Sequence, residues 1–157
     1  TVHRASNTET SDILRRLLAV FEMLDVQVVF PVHPRTRQSL HGTASIPSNV
    51  RLIDPVGYLD MLMLEENARA VLTDSGGVQK EAFFLGVPCI TMRTETEWIE
   101  TVAAGWNVVV GNDCERILAA TRKTDWPMPK PTVVFGDGTA GERIVSVLES
   151  DKALELG

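Results

Sequence analysis

The chain has 157 residues, 44% of them hydrophobic, and a formal net charge of −6. This length and apolar content allow one compact domain with a substantial core, whereas the acidic balance provides no basic surface for nucleic acid or an anionic membrane. The two cysteines do not make a disulfide framework, and Cys89 lies in an apolar run that is typical of a core position. No apolar run reaches the roughly 18 residues of a membrane span. The composition therefore favours a cytoplasmic protein.

Strand-like and helix-like patterns alternate along the chain. Because the first residue is Thr1 rather than methionine, we expect a piece of a longer protein in which Thr1-Val2 ends a strand. After a polar loop from Arg4 to Thr10, a helix capped by Thr10 or Ser11 is predicted. Apolar runs predict strands at 26–32, 50–53, 70–72, 87–92 and 108–110, and 3.6-residue periods predict helices at about 11–24, 36–41, 58–67, 78–85, 94–104, 113–122 and 140–148.

This alternation, with nearly continuous apolar strands, predicts an α/β fold with a Rossmann-like, doubly wound parallel sheet. In the helix at 58–67, the side chains of Leu59, Leu62 and Met63 are expected to face the core. The proline-rich segment from Asp125 to Pro131 is predicted to be an irregular linker. The last helix is expected to be amphipathic.

The run Asp74-Ser75-Gly76-Gly77 lies between an apolar strand and a helix that ends at Gly86. Glycines at such a turn let a ligand approach the backbone, and the first N–H groups of the helix have no intrahelical partner. Together with the positive end of the helix dipole, these donors favour a phosphate. Ser75 would either cap the helix or bond a phosphate oxygen, and Glu81 would accept from sugar hydroxyls. The alternative is an ordinary tight turn with a serine cap.

Other polar residues also follow predicted strands directly. Since parallel strands end at one edge of a sheet, where such folds bind ligands, these side chains are expected to converge. No His, Cys and Asp set has the spacing of metal ligands, so no structural metal is predicted. The Walker and dinucleotide fingerprints are missing as well. The residues alone predict a phosphate-bearing ligand at an edge that also carries His3, His33, Asp54 and Arg93.

Five motifs occur together and in one order. They are Thr-Val-His-Arg-x-x-Asn from Thr1, Pro-Val-His-Pro-Arg-Thr-Arg from Pro31, Leu-Ile-Asp-Pro from Leu52, Leu-Thr-Asp-Ser-Gly-Gly-Val-Gln-x-Glu from Leu72, and Phe-Gly-Asp-Gly-x-Ala from Phe135. In this set the chain resembles the C-terminal half of UDP-N-acetylglucosamine 2-epimerases, two-domain enzymes of the GT-B fold. The resemblance extends from Thr1 to about Leu148.

The resemblance implies specific roles for the matching residues. His3 would face the cleft between the domains near the diphosphate and act as the catalytic residue, its imidazolium stabilising charge on the departing group. The uracil would lie against the loop from Val56 to Met61. The diphosphate and ribose would be held by Ser75, Gly76, Gly77 and Glu81.

The resemblance also implies a reaction. The C2 proton of the sugar is removed with elimination of UDP, and UDP adds again after protonation from the other face. This converts UDP-GlcNAc to UDP-ManNAc without a metal or redox cofactor, as part of cell-surface polysaccharide biosynthesis. Residues 1–150 would form the UDP-binding C-terminal domain, and residues 151–157 a tail. The N-terminal domain, absent here, would supply most catalytic carboxylates, and the whole protein would be a homodimer.

The chain departs from the family pattern at five positions. Many members have glutamate at Ser6 and Lys80 and an aromatic residue at Met61, and Arg-Pro where this chain has Trp98-Ile99. These departures leave the exact UDP-sugar open. The alternatives are a hydrolysing or diacetamido-UDP-sugar 2-epimerase, a GT-B glycosyltransferase domain, and a UDP-binding module without catalytic activity.

Overall fold

The computed structural model describes residues 1–8, 11–40, 45–127 and 134–155. Helices and strands alternate through most of this length. The strands are β1 (Val28–Pro31), β2 (Val50–Ile53), β3 (Val71–Thr73), β4 (Cys89–Thr91) and β5 (Asn107–Val109). The helices are α1 (Ala5–Thr8), α2 (Ser11–Glu22), α3 (Pro34–Leu40), α4 (Tyr58–Glu66), α5 (Gly76–Leu85), α6 (Ile99–Ala103), α7 (Cys114–Thr121) and α8 (Ala140–Glu155).

All the observed strand pairs are parallel. β1 pairs with β2 in one sheet, and β4 lies between β3 and β5 in the other. No strand is assigned to Thr1-Val2, but the backbone nitrogen of Thr1 donates to the Leu72 carbonyl, and the Asp74 N–H donates to the Thr1 carbonyl. These two bonds follow a parallel ladder and place the start of the chain beside β3. The predicted α/β fold with parallel strands is confirmed.

The main core lies between helices α2 and α7 and the strands β1, β2 and β4. The rings of Phe21 and Phe30 meet edge to face, with centroids 6.3 Å apart, and fully buried aliphatic side chains surround them, among them Leu17, Val32, Ile90 and Ile117. A smaller cluster joins α5 to β3 and β4 around Ala82 and Cys89. Cys89 is 1% exposed, which confirms that this cysteine is a core residue, and burial raises the pKa of its thiol to about 12.

Most predicted elements are present with shorter strands, but two segments differ. The segment from Arg4 to Thr10 is not all loop, because α1 begins at Ala5 where Asp74 accepts the backbone N–H of Arg4. The helix predicted from residue 94 begins only at Ile99. The hydroxyl of Thr96 bonds a side chain and the Trp98 N–H instead, which competes with helical backbone bonds.

Further differences lie at the ends of elements. α8 continues past residue 148 to Glu155, and its apolar Ile144, Val147 and Leu148 are exposed. Residues 125–127 are irregular as predicted. α2 begins at Ser11, but Thr10, the side chain of Ser11, the rest of the predicted linker and the predicted helix end at 41–42 lie outside what the structure describes. Among the described residues, no helix has the length and apolar character to cross a bilayer.

The prediction for α4 is wrong in its buried face. Leu59 and Met63 are 74% and 57% exposed and Leu62 is only half-buried, whereas Glu65 is 2% exposed. Both carboxyl oxygens of Glu65 are buried without a hydrogen-bond partner among the described residues. Burial, and secondarily the negative charge of Glu81, raises the pKa of Glu65 to about 7 from 4.5. The apolar pattern of α4 therefore does not report which side faces the interior.

The raised pKa of Glu65 predicts a pH-dependent stability. Between pH 4.5 and about 7 the unfolded chain ionises this carboxyl while the folded chain keeps the proton, so the free energy of unfolding falls as pH rises through that window. The contribution is at most about 3 kcal/mol. Glu65→Gln should remove this fall, as measured by urea unfolding at pH 5 and pH 8. Glu66→Gln, an exposed neighbour, should keep it, and a parallel pH slope in wild type and Glu65→Gln would contradict the prediction.

Candidate phosphate-binding site

The site is built at the junction of β3 and α5. Ser75 precedes the helix in an extended conformation, with φ −85° and ψ 128°, and its side chain makes no capping hydrogen bond. Its backbone N–H instead donates to the Thr73 hydroxyl at 3.0 Å. Of the two roles considered for Ser75, helix capping is therefore not observed. Its hydroxyl lies beside the first N–H groups of α5, which have no intrahelical acceptor.

The two glycines at this junction differ in the space around them. Neither has a positive φ, so neither is required by an unusual backbone conformation. A Cβ on Gly76 would lie 3.4 Å from Nε1 of Trp98, a tight contact. A Cβ on Gly77 would meet only Oγ of Ser75, at 3.9 Å. Gly76 thus leaves room for a protein side chain, whereas Gly77 opens onto the space where a ligand can approach.

Asp74, the residue before Ser75, is fully buried and surrounded by donors. Its carboxylate accepts the backbone N–H groups of His3 and Arg4 at 3.0 to 3.1 Å, and the side-chain amide of Asn7 at 2.9 Å. Asn7 also donates to the Met92 carbonyl. A buried carboxylate is tolerated when it is hydrogen-bonded in this way. Asp74 therefore ties the first residues of the chain to the segment Ser75-Gly76-Gly77, the candidate phosphate loop.

His3 is placed at the site by this anchor. Its Nε2 lies 3.8 Å from a carboxylate oxygen of Asp74, and its side chain is 40% exposed. The His33 ring, which follows β1, lies 6.1 Å from the His3 ring between centroids. The predicted convergence of polar residues at one edge of the sheet is thus observed for the ends of the first segment, β1 and β3.

A cluster of charged side chains lies next to the α5 N-terminus. Arg93, after β4, makes two hydrogen bonds of 2.7 and 2.9 Å to Glu97, and Arg4 lies 3.7 Å from the same carboxylate. These bonds lower the pKa of Glu97 to about 2. A Cβ on Gly76 would lie 3.7 Å from Glu97, so the group borders the phosphate loop. Arg4 and Arg93 therefore share a carboxylate that lies next to the start of α5.

The residues predicted to contact the ribose and the uracil lie further from the start of α5 along the chain. Glu81 is half-buried on α5, and its charge acts on Glu65 of α4. Val56 and Met61 line a groove of about 1010 Å³ between β1 and β3, which Glu65 also lines. Asp54, predicted at the same edge, pairs with Arg37 at 2.6 Å. Among the described residues, no group of three or more His, Cys, Asp or Glu side chains is arranged to hold a metal ion.

Sequence reasoning missed the roles of Asn7, Glu97 and Trp98. Asn7 carries a signal, since it belongs to the same motif as His3 and Arg4. Glu97 and Trp98 fall within the helix predicted at 94–104. Their contacts with Gly76 come from a nonhelical segment that no local pattern predicts.

Removal of the Asp74 carboxylate should destabilise the fold. Asp74→Ala leaves the buried amide of Asn7 without one acceptor and two backbone N–H groups without theirs, at a cost on the order of 3 kcal/mol. Urea unfolding measures this cost. Asp113→Ala removes the exposed cap of α7 and should cost about 1 kcal/mol. Equal losses for the two variants would contradict the anchoring role of Asp74.

Known proteins share this arrangement of fold and motifs. The UDP-N-acetylglucosamine 2-epimerase family model matches residues 1–149. A UDP-N-acetylglucosamine 2-epimerase homolog of Methanococcus maripaludis is 46% identical over 96% of this chain and 43% of its own length. The UDP-2,3-diacetamido-2,3-dideoxy-D-glucuronate 2-epimerase of Pseudomonas aeruginosa is 41% identical over 94% of this chain and 43% of its own.

The fold is also similar to that of a solved structure from this family. The UDP-GlcNAc 2-epimerase of Methanocaldococcus jannaschii, in complex with UDP-GlcNAc and UDP, superposes with a TM-score of 0.78 at 40% identity, covering 95% of this chain and 44% of that one. The chain therefore spans less than half the length of these relatives. It has the fold of one half of a GT-B enzyme, and it belongs to the UDP-N-acetylglucosamine 2-epimerase family.

Proposed function

We propose that this chain is the UDP-binding half of a non-hydrolysing UDP-N-acetylglucosamine 2-epimerase. The observation that carries the proposal is the phosphate loop, in which free helix donors, an accessible Gly77 and the anchored His3 lie within one small region. The M. jannaschii relative, solved with UDP-GlcNAc and UDP, supports it. Residues 1–150 form the UDP-binding C-terminal domain in this proposal, and residues 151–157 are its tail.

The proposed contacts follow the position of each residue along the nucleotide. Ser75, Gly76 and Gly77 hold the diphosphate, since backbone donors and the dipole of α5 favour an anion there. Glu81, one turn further along the helix, accepts from the ribose hydroxyls. The uracil lies against Val56 and Met61 at the mouth of the groove.

The proposed reaction belongs to the whole two-domain protein. A base removes the C2 proton, the C1–O bond to UDP breaks, and a glycal forms; protonation of C2 from the other face and return of UDP to C1 give the manno sugar. His3 lies on the diphosphate side, where its imidazolium would stabilise charge on departing UDP. The N-terminal domain supplies the remaining carboxylates. We place the whole protein, as a homodimer, in the cytoplasm and in cell-surface polysaccharide biosynthesis.

A second candidate is a 2-epimerase that acts on a diacetamido UDP-sugar. The observation that favours it is the 41% identity to the P. aeruginosa relative, whose name specifies such a substrate. Both candidates use the same UDP site and the same elimination. Product analysis of the two-domain enzyme with each UDP-sugar separates them.

UDP should stabilise the folded chain, and Glu81 should contribute through the ribose. At a UDP concentration 100 times Kd, ligand linkage adds about 2.7 kcal/mol, which raises Tm by roughly 5 to 10 °C for a domain of this size. Glu81→Ala should lower the shift from UDP and leave that from pyrophosphate unchanged, because its proposed partners are hydroxyl groups. Thermal unfolding with each ligand measures this. Equal losses for UDP and pyrophosphate would assign Glu81 to the fold alone.

The chain of 157 residues should bind UDP without epimerising UDP-GlcNAc. Proton transfer at C2 needs groups within hydrogen-bond reach on both faces of the sugar, and the proposal places most of them on the N-terminal domain. Closure of two domains would also be required to exclude water from the glycal. NMR in deuterated water measures exchange at C2. Exchange that scales with protein concentration and is abolished by His3→Ala would show that this half carries its own base.

A further inference from the structure

The indole of Trp98 contacts the first turn of the phosphate-binding helix. Its Nε1 donates a hydrogen bond to the Gly76 carbonyl at 2.8 Å. The same nitrogen would lie 3.4 Å from a Cβ at residue 76, at the lower edge of ordinary van der Waals contact, so the indole lies directly against this backbone. Trp98 is therefore fitted to the backbone of the phosphate loop rather than only packed against its side chains.

The bonded carbonyl belongs to the same peptide unit as the Gly77 N–H. A trans peptide is planar, with the C=O and N–H pointing in opposite directions. A bond that fixes the Gly76 carbonyl therefore also fixes the direction of the Gly77 N–H, one of the donors without an intrahelical acceptor. The unit lies in the first turn of α5, so the indole bond restrains it in addition to the helix, at a position where two consecutive glycines weaken the backbone's own restraint.

Trp98 is itself held firmly by the segment that leads into α6. Its backbone N–H donates to the Thr96 hydroxyl at 3.1 Å, and its carbonyl accepts from the Thr101 hydroxyl at 2.7 Å. Both threonines join a buried network, because Thr96 donates to Oε1 of Gln79 and Asn107 donates to Gln79 and Thr101. The network connects α5, β5 and α6, and it orients the indole before any ligand arrives.

The indole ring also contacts two side chains, Lys80 and Phe135. Nζ of Lys80 lies 4.3 Å from the Trp98 ring centroid and 4.6 Å from that of Phe135. The two rings meet edge to face at 5.9 Å and 89°. Lys80 follows Gly76 by one helical turn, so this cation–π contact holds a positive charge beside the loop and keeps the ring in place.

We propose that Trp98 is a positioning residue for the diphosphate. Its indole N–H sets the Gly76–Gly77 peptide unit so that the Gly77 N–H faces the phosphate oxygens, and Lys80 keeps the indole in that orientation. The inference rests on the proposed function, because it assigns the diphosphate of UDP to the α5 N-terminus. It adds a residue that touches no substrate atom and still controls how well the diphosphate is held.

Trp98→Phe tests the proposal because it keeps an aromatic ring for Lys80 and Phe135 and removes the N–H donor. The expected result is a loss of UDP affinity of about five- to tenfold, the range for one oriented hydrogen bond, with no change for uridine, which lacks the diphosphate. Calorimetry or an NMR titration measures both ligands. Trp126→Phe is the matched control: its Nε1 donates to the Lys123 carbonyl at 2.9 Å, with Nζ of that lysine 5.1 Å from the ring. This variant should bind UDP like wild type.

The binding measurements separate the proposed function from the positioning role of Trp98. If the wild-type chain does not bind UDP, the proposed function fails and the inference fails with it. If wild type binds UDP and Trp98→Phe binds it equally well, the positioning role is overturned and the function stands. An equal loss for UDP and uridine would also overturn it, since a general disturbance would then explain the effect. Should Trp98→Phe not fold, Lys80→Met takes its place, with an expected two- to fivefold loss for UDP alone; unchanged affinity there would overturn the proposal.

Discussion

The buried carboxylate of Asp74 is the interaction on which the site depends. A charge with no solvent exposure must be surrounded by donors, and here the donors come from residues about seventy positions earlier in the chain. The carboxylate therefore joins the start of the chain to the end of β3. It also sets the position of His3, which follows from the bond to its backbone rather than from any contact of its ring.

Around this anchor the site combines fixed and adaptable groups. The backbone of the loop is fixed by Thr73 on one side and by Trp98 on the other. Arg93 is different, because its acceptor Glu97 is exposed, and the guanidinium can exchange that carboxylate for a phosphate oxygen. Such a division is physically sensible for an anion site: donors must be oriented beforehand, whereas charges can rearrange when the anion enters.

Glu65 shows the opposite situation to Asp74. Both carboxyls are buried, but Asp74 has donors and Glu65 has none among the described residues. The result is a raised pKa for Glu65, to about 7. Its neighbour Glu81 is the proposed ribose ligand, so a change in the charge of Glu65 alters the electrostatic field at the nucleotide.

Local patterns and motifs predicted much of the fold and part of the site. The strand and helix around Ser75, Gly76 and Gly77 follow from an apolar run, two glycines and a helical period, all of which are local signals. The prediction of which face of α4 is buried was wrong, because apolar residues occur all around this helix. Only tertiary packing determines that Glu65 is buried. The contact of Trp98 with Gly76 joins residues 22 positions apart through a nonhelical turn. No periodicity contains that information.

The central claim is that the diphosphate of UDP lies on the first N–H groups of α5. An amide NMR titration of isotope-labelled protein with UDP tests it most directly. The amide signals of Gly76 and Gly77 should shift most, while that of Gly86, at the opposite end of the same helix, should stay in place; uridine alone should leave the Gly77 signal unchanged. Shifts centred elsewhere in the chain, or equal shifts with uridine and UDP at Gly77, would contradict the account.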